Sequence, residues 1–309
     1  MKLHNKSAVT YEEANNRRIY AFVRGDNGHL HVRYWNGSQW KWADQGTPPG
    51  TTLSDAPGVI TYAADKQRIY AFARGGNGHL FVNYWDGSQW KWADQGTPPG
   101  TTVIPKSSPG VITYEEADKR KIYAFVQGNN GRLYVNYWDG SQWKWADQGE
   151  PIFHAISPFC SPGVITYVEG GKRRIYAFVT TDDNSDITPL TLDVNYWNGS
   201  QWKWANQGTL VVGTPGVITY KEGDKQRIYA FVTGNGSLVV NYWDGSQWKW
   251  ANQGTPPGTK VTTKSSPGVI TYLGANKQRI YAFVVGENGH LYVNYWDGSQ
   301  WKWADQGTP

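Results

Sequence analysis

Apolar and polar positions alternate in short runs along this chain, and the same set of runs recurs. Residues 57–96 show one unit. Pro57-Gly58 opens it, and Val59-Ile60-Thr61-Tyr62 is a β-branched run of strand character. A polar turn, Ala63 to Gln67, leads into Arg68-Ile69-Tyr70-Ala71-Phe72-Ala73. After Gly75-Gly76-Asn77-Gly78 comes His79-Leu80-Phe81-Val82-Asn83-Tyr84-Trp85. Asp86-Gly87, a signal for a type I′ hairpin, then turns the chain into Gln89-Trp90-Lys91-Trp92-Ala93. The pattern predicts four short antiparallel strands in about 40 residues, the size of a β-propeller blade. No stretch carries the apolar period of an amphipathic helix.

The unit occurs six times at intervals of about 50 residues. Its signature, Y-W-[DN]-G-S-Q-W-K-W-A-[DN]-Q-G, holds all 18 tryptophans. Six copies predict an all-β, six-bladed propeller with four antiparallel strands per blade. The expectation is a single domain over 1–309, with blades at approximately 7–46, 57–96, 109–149, 162–208, 215–254 and 267–307. Breaker-rich links such as Thr97-Pro98-Pro99-Gly100 separate the copies. The fourth copy has Asp182 to Pro189 in place of the Gly-Asn-Gly turn, which reads as a loop insertion on an intact blade.

Alternation places Leu80, Val82 and Tyr84 on one face of the third strand, with Phe81, Asn83 and Trp85 on the other. Trp90 and Trp92 share a face that Lys91 opposes. Both faces of a blade meet a neighbour, so packing claims most tryptophans, yet three per blade leave at least one as a candidate stacking platform. The turn between the first two strands drifts between copies (Glu12-Glu13-Ala14-Asn15, Ala63-Ala64-Asp65-Lys66, Val168-Glu169-Gly170-Gly171), whereas Ser-Gln-Trp-Lys-Trp-Ala is unchanged in all six. Recent duplication explains part of that contrast. Polar Gln, Lys and Asn held beside the tryptophans are more than a packed core requires.

A net charge of +5 is spread through every repeat and never gathers into a run, so no nucleic-acid groove is expected. Cys160 is the one cysteine, which excludes an intramolecular disulfide framework and a multi-Cys metal site. The six histidines lack zinc spacing, and the Gly-rich turns precede no helix, so neither metal nor cofactor is expected. Both shared acidic positions alternate between Asp and Asn: Asn36, Asp86, Asp139, Asn198, Asp244 and Asp297 at the turn, and Asp44, Asp94, Asp147, Asn206, Asn252 and Asp305 before the closing Gln-Gly. A turn tolerates that exchange and an acid–base catalyst does not, so no enzyme is expected. The first residues have no apolar core of a leader, and no apolar run is long enough to span a membrane. The expectation is a soluble protein without a conventional signal peptide, either cytoplasmic or exported by another route, with no membrane insertion.

The copies of Arg-Ile-Tyr … Asn-Gly-His-Leu … Asp-Gly-Ser-Gln-Trp resemble the repeats of fucose-binding propeller lectins, both the six-bladed Aleuria-type fungal branch and the Photorhabdus-type bacterial branch. The resemblance implies sugar sites between adjacent blades. Hydroxyls would be held by an Arg before the Ile-Tyr pair (Arg18, Arg68, Arg174, Arg227 and Arg279, with Lys121 in the third copy). The Trp after Asp-Gly-Ser-Gln would stack on the sugar (Trp40, Trp90, Trp143, Trp202, Trp248 and Trp301). The fungal branch adds a Glu whose position falls here on Val32, Val82, Val135, Val194, Val240 and Val293. The run Leu-Tyr-Val-Asn-Tyr-Trp-Asp-Gly is nearer the bacterial branch. Asn83, Asn136, Asn195, Asn241 and Asn294 complete the candidate set, since an amide both donates and accepts toward sugar hydroxyls.

The physical chemistry agrees with that implication: a sugar packs a C–H face on an indole and presents hydroxyls to directed groups such as the Arg fork. The partners expected are therefore glycans with fucose or a related, O-methylated, monosaccharide, bound several times per chain. Homo-oligomerisation stays open. The alternative is a protein-interaction propeller without sugar binding, which would favour variety from blade to blade over near-identical copies.

Overall fold

A computed structural model describes residues 4–13, 16–152, 154–158, 160–182, 190–209, 211–263 and 265–308. The described residues form strands and connections, with no helix that could cross a membrane. The fold is a six-bladed β-propeller, one antiparallel sheet per sequence copy. The chain divides into two compact units, Met1–Gly149 and Glu150–Pro309, with three sheets in each.

In the first unit, blade 1 is β1 (His4–Glu13), β2 (Asn16–Arg24), β3 (Leu30–Trp35) and β4 (Trp40–Asp44). Blade 2 is β5 (Gly58–Ala63), β6 (Gln67–Arg74), β7 (Leu80–Trp85) and β8 (Trp90–Asp94). Blade 3 is β9 (Gly110–Glu116), β10 (Lys119–Gln127), β11 (Leu133–Trp138) and β12 (Trp143–Gly149). In the second unit a short β13 (Ala155–Ile156) precedes blade 4, formed by β14 (Gly163–Glu169), β15 (Lys172–Asp182), β16 (Thr191–Trp197) and β17 (Trp202–Thr209). Blade 5 is β18 (Val212–Glu222), β19 (Lys225–Gly234), β20 (Ser237–Trp243) and β21 (Trp248–Asn252). Blade 6 is β22 (Gly268–Gly274), β23 (Lys277–Val285), β24 (Leu291–Trp296) and β25 (Trp301–Asp305). Within each sheet strand order follows chain order, so among the described residues no sheet borrows a strand from another repeat; β13 adds a fifth strand against the far end of β15. Of the inserted loop expected at Asp182 to Pro189, residues 183–189 lie outside the described residues.

The two faces of each second strand carry different sizes of side chain. Phe72 of β6 points into blade 3, where Ile122, Ala124 and Val126 receive it; Ile69, Ala71 and Ala73, on the opposite face, receive Phe22 of blade 1. Phe178 and Phe231 repeat this between blades 4 and 5 and between 5 and 6. Large rings against alanines let adjacent sheets interdigitate, and each fully buried Phe contributes about 1.5–3 kcal/mol of transfer free energy. A Pro-Gly pair opens copies two to six, and at Gly58, Gly163 and Gly216 the glycine has a steric cause. A Cβ on Gly58 would stand 2.0 Å from the Pro109 carbonyl oxygen of the next blade, and one on Gly216 would stand 2.1 Å from that of Pro267. At these places the first strands approach so closely that only glycine fits.

The Asp-Gly hairpin differs from the expected type I′ turn, which needs a positive φ at both central residues. Here only the glycine has one, 96° at Gly87. Four residues lie between the last paired tryptophans, Trp85 and Trp90. The reason is the acidic side chain: Asp86 Oδ1 accepts from the Ser88 and Gln89 amides and from the Ser88 hydroxyl at 2.9, 3.0 and 2.7 Å. Those side-chain bonds organise a wider loop than a two-residue turn could.

Candidate functional site

The candidate site lies between neighbouring blades and is built from both. On each blade the first, second and third strands place one tyrosine apiece on the same face. In blade 2, Tyr70 is directly across from Tyr84, and their rings stack at 5.6 Å; Tyr62 stacks on the other side of Tyr70 at 5.8 Å. The Tyr62 hydroxyl donates to the Tyr70 hydroxyl at 3.5 Å. The ladder recurs in blade 5 as Tyr220, Tyr229 and Tyr242, and in blade 1 as Tyr11, Tyr20 and Tyr34. Burial, then the bond from Tyr62, pushes the Tyr70 phenol well above its ordinary pKa, and burial does the same first for Tyr220 and Tyr229. Tyr70, Tyr220 and Tyr229 therefore present neutral hydroxyls across physiological pH.

Across from the first tyrosine stands the sequence-predicted arginine, as Arg68 pairs with Tyr62 in register. The next blade supplies the opposite wall: Trp138 and Trp143, 5.7 Å apart and tilted by 55°, with Trp143 edge-on to Phe72 at 5.7 Å. Between blades 2 and 3 these groups enclose a cavity of about 500 Å³, lined also by Val82, Ala93, Gln95, Arg120 and Ile122. Between blades 5 and 6 Arg227, the tyrosine ladder, Gln253, Trp296 and Trp301 line one of about 380 Å³. Both volumes fall in the range of about 300–1,000 Å³ for small-molecule sites, with apolar walls and few convergent polar groups. Between blades 4 and 5, Trp243 and Trp248 pack with Tyr176 and Tyr196 in the same relation. A separate surface pocket of about 410 Å³ touches Glu12, Glu13, Asp65, Lys66 and Trp85.

The structure thus brings together Arg68 with Trp143 and Arg227 with Trp301, each pair contributed by adjacent blades. Trp90 and Trp248 meet Phe22 and Phe178 edge-on, as Trp143 meets Phe72. Trp202 lies 5.8 Å from Trp197, and Trp40 is 44% exposed with the Arg33 guanidinium 5.9 Å from its ring. The Lys121 ammonium donates to the Asp139 carbonyl of its own blade. Arg279 faces Tyr272 in register in blade 6.

The five asparagines are not brought into the cavities. Asn83, Asn136, Asn195, Asn241 and Asn294 are each about 1% exposed, and their amide nitrogens reach backbone carbonyls of the fourth strand at 3.4–3.5 Å. They share a strand face with Trp85 and its equivalents but are sealed from solvent.

Three features of the site went unread in the sequence. One is the tyrosine ladder. The second is a carboxylate beside the arginine: Glu13 on Arg18 and Glu169 on Arg174, both at 3.1 Å, Glu222 on Arg227 at 2.6 Å, and Asp65 on Arg68 at 2.8 Å. Its signal was Tyr-x-Glu, inside the turn that drifts between copies; Gly274 takes that position in blade 6. The third is the role of the last tryptophan. The Nε1–H of Trp92, Trp145, Trp250 and Trp303 donates to the backbone carbonyl of Gln45, Gln95, Gln207 and Gln253 on the preceding blade, at 2.9, 2.8, 2.5 and 2.9 Å. That indole is an inter-blade clamp.

The alternating acidic positions are acceptors for backbone amides. Asn36 and Asn198 cap their turns through Oδ1 as Asp86 does. Asp94 and Asn252 both accept from the following glycine amide, at 2.7 and 2.8 Å. Among the described residues no three His, Cys, Asp or Glu side chains converge as a metal site would require.

No protein-family model matches the chain, and no curated protein matches it significantly. Its fold is shared with solved propeller lectins. A mutant of the Aleuria aurantia lectin, solved with alpha-methyl-L-fucoside, is 16% identical over 99% of this chain and 96% of its own, with a TM-score of 0.65. The BP39L lectin from Burkholderia pseudomallei is 16% identical over 98% of this chain and 84% of its own, at 0.69. The SapL1 lectin, in complex with alpha methyl fucoside, is 17% identical over 98% and 96%, at 0.60.

Proposed function

We propose that this protein is a multivalent carbohydrate-binding protein that holds fucose or a related monosaccharide between adjacent blades and catalyses nothing. The observation that carries the reading is the recurrence of one cavity. Between blades 2 and 3 and between blades 5 and 6, ten of the eleven places that line both cavities hold the same residue, and Arg120 lines the first cavity alone. A repeated small ligand accounts for that, whereas an asymmetric protein partner would not. In this arrangement the sugar's C–H face packs on Trp143 or Trp301, and its hydroxyls meet the Arg68 or Arg227 fork, the phenols and Gln95 or Gln253. Lectins of the same fold solved with fucosides support the choice of sugar. The Asp/Asn exchange, with its carboxamides serving as turn acceptors, supports binding without turnover.

Each pocket offers one or two indoles and a few hydrogen bonds at about 0.5–1.5 kcal/mol net, so a single site is weak. Several sites on one chain raise the avidity for a dense glycan surface on the order of 10²–10⁴-fold. A glycan array read at low and high salt, with titration of methyl fucoside, tests the proposal. Expected are weak, salt-insensitive binding of several sugars per chain and agglutination of glycan-coated particles. One tightly held sugar per chain, or none, would overturn it.

A further inference from the structure

Two places distinguish the linings of the two cavities, and both concern charge. Glu222 lines the cavity between blades 5 and 6, where it pairs with Arg227. The equivalent place between blades 2 and 3 is Ala64. Arg68 takes its carboxylate from Asp65 instead, which belongs to the separate surface pocket and has a side chain 70% exposed. Blade 3 then adds a second cation to the wall. Arg120 lies 4.5 Å above the Tyr62 ring, bonded through Nη2 to Glu115 at 2.9 Å and to the Ala63 carbonyl at 3.4 Å. Blade 6 has Gln278 at that register, facing Leu273 as Arg120 faces Glu115, and its amide is turned to Thr271.

The blade 2–3 cavity is therefore walled by two guanidinium groups and no carboxylate, and the blade 5–6 cavity by one internally neutralised pair. From this we infer that the pocket between blades 2 and 3 selects an anionic saccharide, one bearing a carboxylate or a sulfate, while the pocket between blades 5 and 6 selects a neutral one. The inference rests on the carbohydrate reading above and divides its sites into two classes. Two planar forks facing one cavity suit bidentate recognition of a carboxylate or sulfate, and the Arg120–Tyr62 contact holds one fork in place. Glu115 and Asp65 compete little, because exposed ion pairs are weak and a ligand can exchange for them. In the other cavity Glu222 would repel an anion from inside.

The test is a set of crystals soaked in methyl α-L-fucoside, methyl α-D-galacturonoside or a sulfated methyl galactoside, with affinities measured in solution at two salt concentrations. The galacturonoside, the sulfated sugar or both should occupy the blade 2–3 pocket at least about tenfold more tightly than the blade 5–6 pocket, as charge-assisted bonds allow, and the preference should shrink with salt. Arg120→Gln should lower the anionic-to-fucoside affinity ratio of its pocket about tenfold, and Glu222→Ala combined with Gln278→Arg should raise that of the other. Equal anion occupancy of both pockets would overturn the inference, as would anions binding nowhere while fucoside binds, which leaves the carbohydrate reading intact. Binding of anions with no fucoside bound would support it and remove the fucose assignment. If no sugar binds, both fall.

Discussion

Two tryptophans two residues apart on the same strand face are expected to fail in different ways. Trp145→Phe keeps an aromatic ring between blades 2 and 3 but deletes the Nε1–H that donates to the Gln95 carbonyl at 2.8 Å. The lost bond costs about 0.5–1.5 kcal/mol, or about 1–3 kcal/mol where the carbonyl stays without a partner, and shrinking the indole removes roughly another 1 kcal/mol of apolar burial. A total near 2–3 kcal/mol should lower Tm by about 5–10 °C, taking about 2–4 °C per kcal/mol for 150–250 residues. Trp143→Phe deletes no clamp and keeps an edge contact with Phe72, so only the roughly 1 kcal/mol of the smaller ring is lost and Tm should fall by about 2–4 °C. Because Trp143 lines the cavity, sugar affinity there should instead fall about three- to tenfold, the worth of about 0.5–1.5 kcal/mol in an aromatic contact. Scanning calorimetry and sugar titration of the two variants decide it. A Trp145→Phe protein with unchanged Tm and lost sugar binding would show that clamp and platform have been assigned the wrong way round.

Asn136→Leu should keep its sugar site and match or exceed wild-type stability, because Asn136 Oδ1 is buried without a partner; loss of soaked sugar beside blade 3 would contradict this. Lys91, then the Ser88 hydroxyl and the Gln89 and Ser88 amides, hold the Asp86 carboxyl far below the usual range, and Asp139, Asp244 and Asp297 are held down the same way, led by their own lysines. A depressed folded pKa gives stability that is present above the unfolded value near 3.9 and lost as pH falls through the folded one. Changing all four to Asn, as blades 1 and 4 already have, should flatten the fall in Tm below about pH 4, and an unaltered acid limb would refute the linkage. Gly58→Ala should cost about 3 kcal/mol or more by denaturant midpoint, since its Cβ meets a backbone carbonyl, whereas Gly268→Ala, with nothing within 4 Å, should be nearly neutral; equal midpoints would refute the close-approach account.

The repeat count and the strand order could be read before any coordinates, because alternation and periodicity report directly on strands and their faces; the expectation of an arginine and a tryptophan at sites between adjacent blades came from the resemblance to propeller lectins. Other elements could not. Asp86-Gly87 reads as a two-residue turn from the dipeptide alone, and only the geometry shows its carboxylate claiming two amides. Asn83 looks like a ligand because it is polar beside a tryptophan; its burial, with its amide turned to the Lys91 carbonyl, is visible only in three dimensions. The tyrosines hide because a Tyr on each of three strands fits any aromatic core. Their alignment into one ladder follows from register, which pairs Tyr70 with Tyr84 and leaves Tyr62 diagonal.

The unchanged Ser-Gln-Trp-Lys-Trp-Ala segment takes on a different meaning once its contacts are assigned. In blade 2 Ser88 and the Gln89 amide close the turn on Asp86, and Lys91 pairs with Asp86 at 2.7 Å. Trp92 clamps the preceding blade through Gln45. Of the segment, only Trp90, through its equivalents in blades 3 and 6, and Ala93 belong to positions that line a cavity. Most of the segment is thus fixed by the demands of the hairpin and the inter-blade seam, which every blade must meet whatever it binds. Positions free of those demands can vary with the ligand. They are the Ala64/Glu222 place and the Arg120/Gln278 place, both beside the turn that drifts from copy to copy. In a propeller built from near-identical repeats, differences between pockets are therefore to be sought in the variable hairpin, and the constant motif identifies the scaffold on which each pocket is mounted.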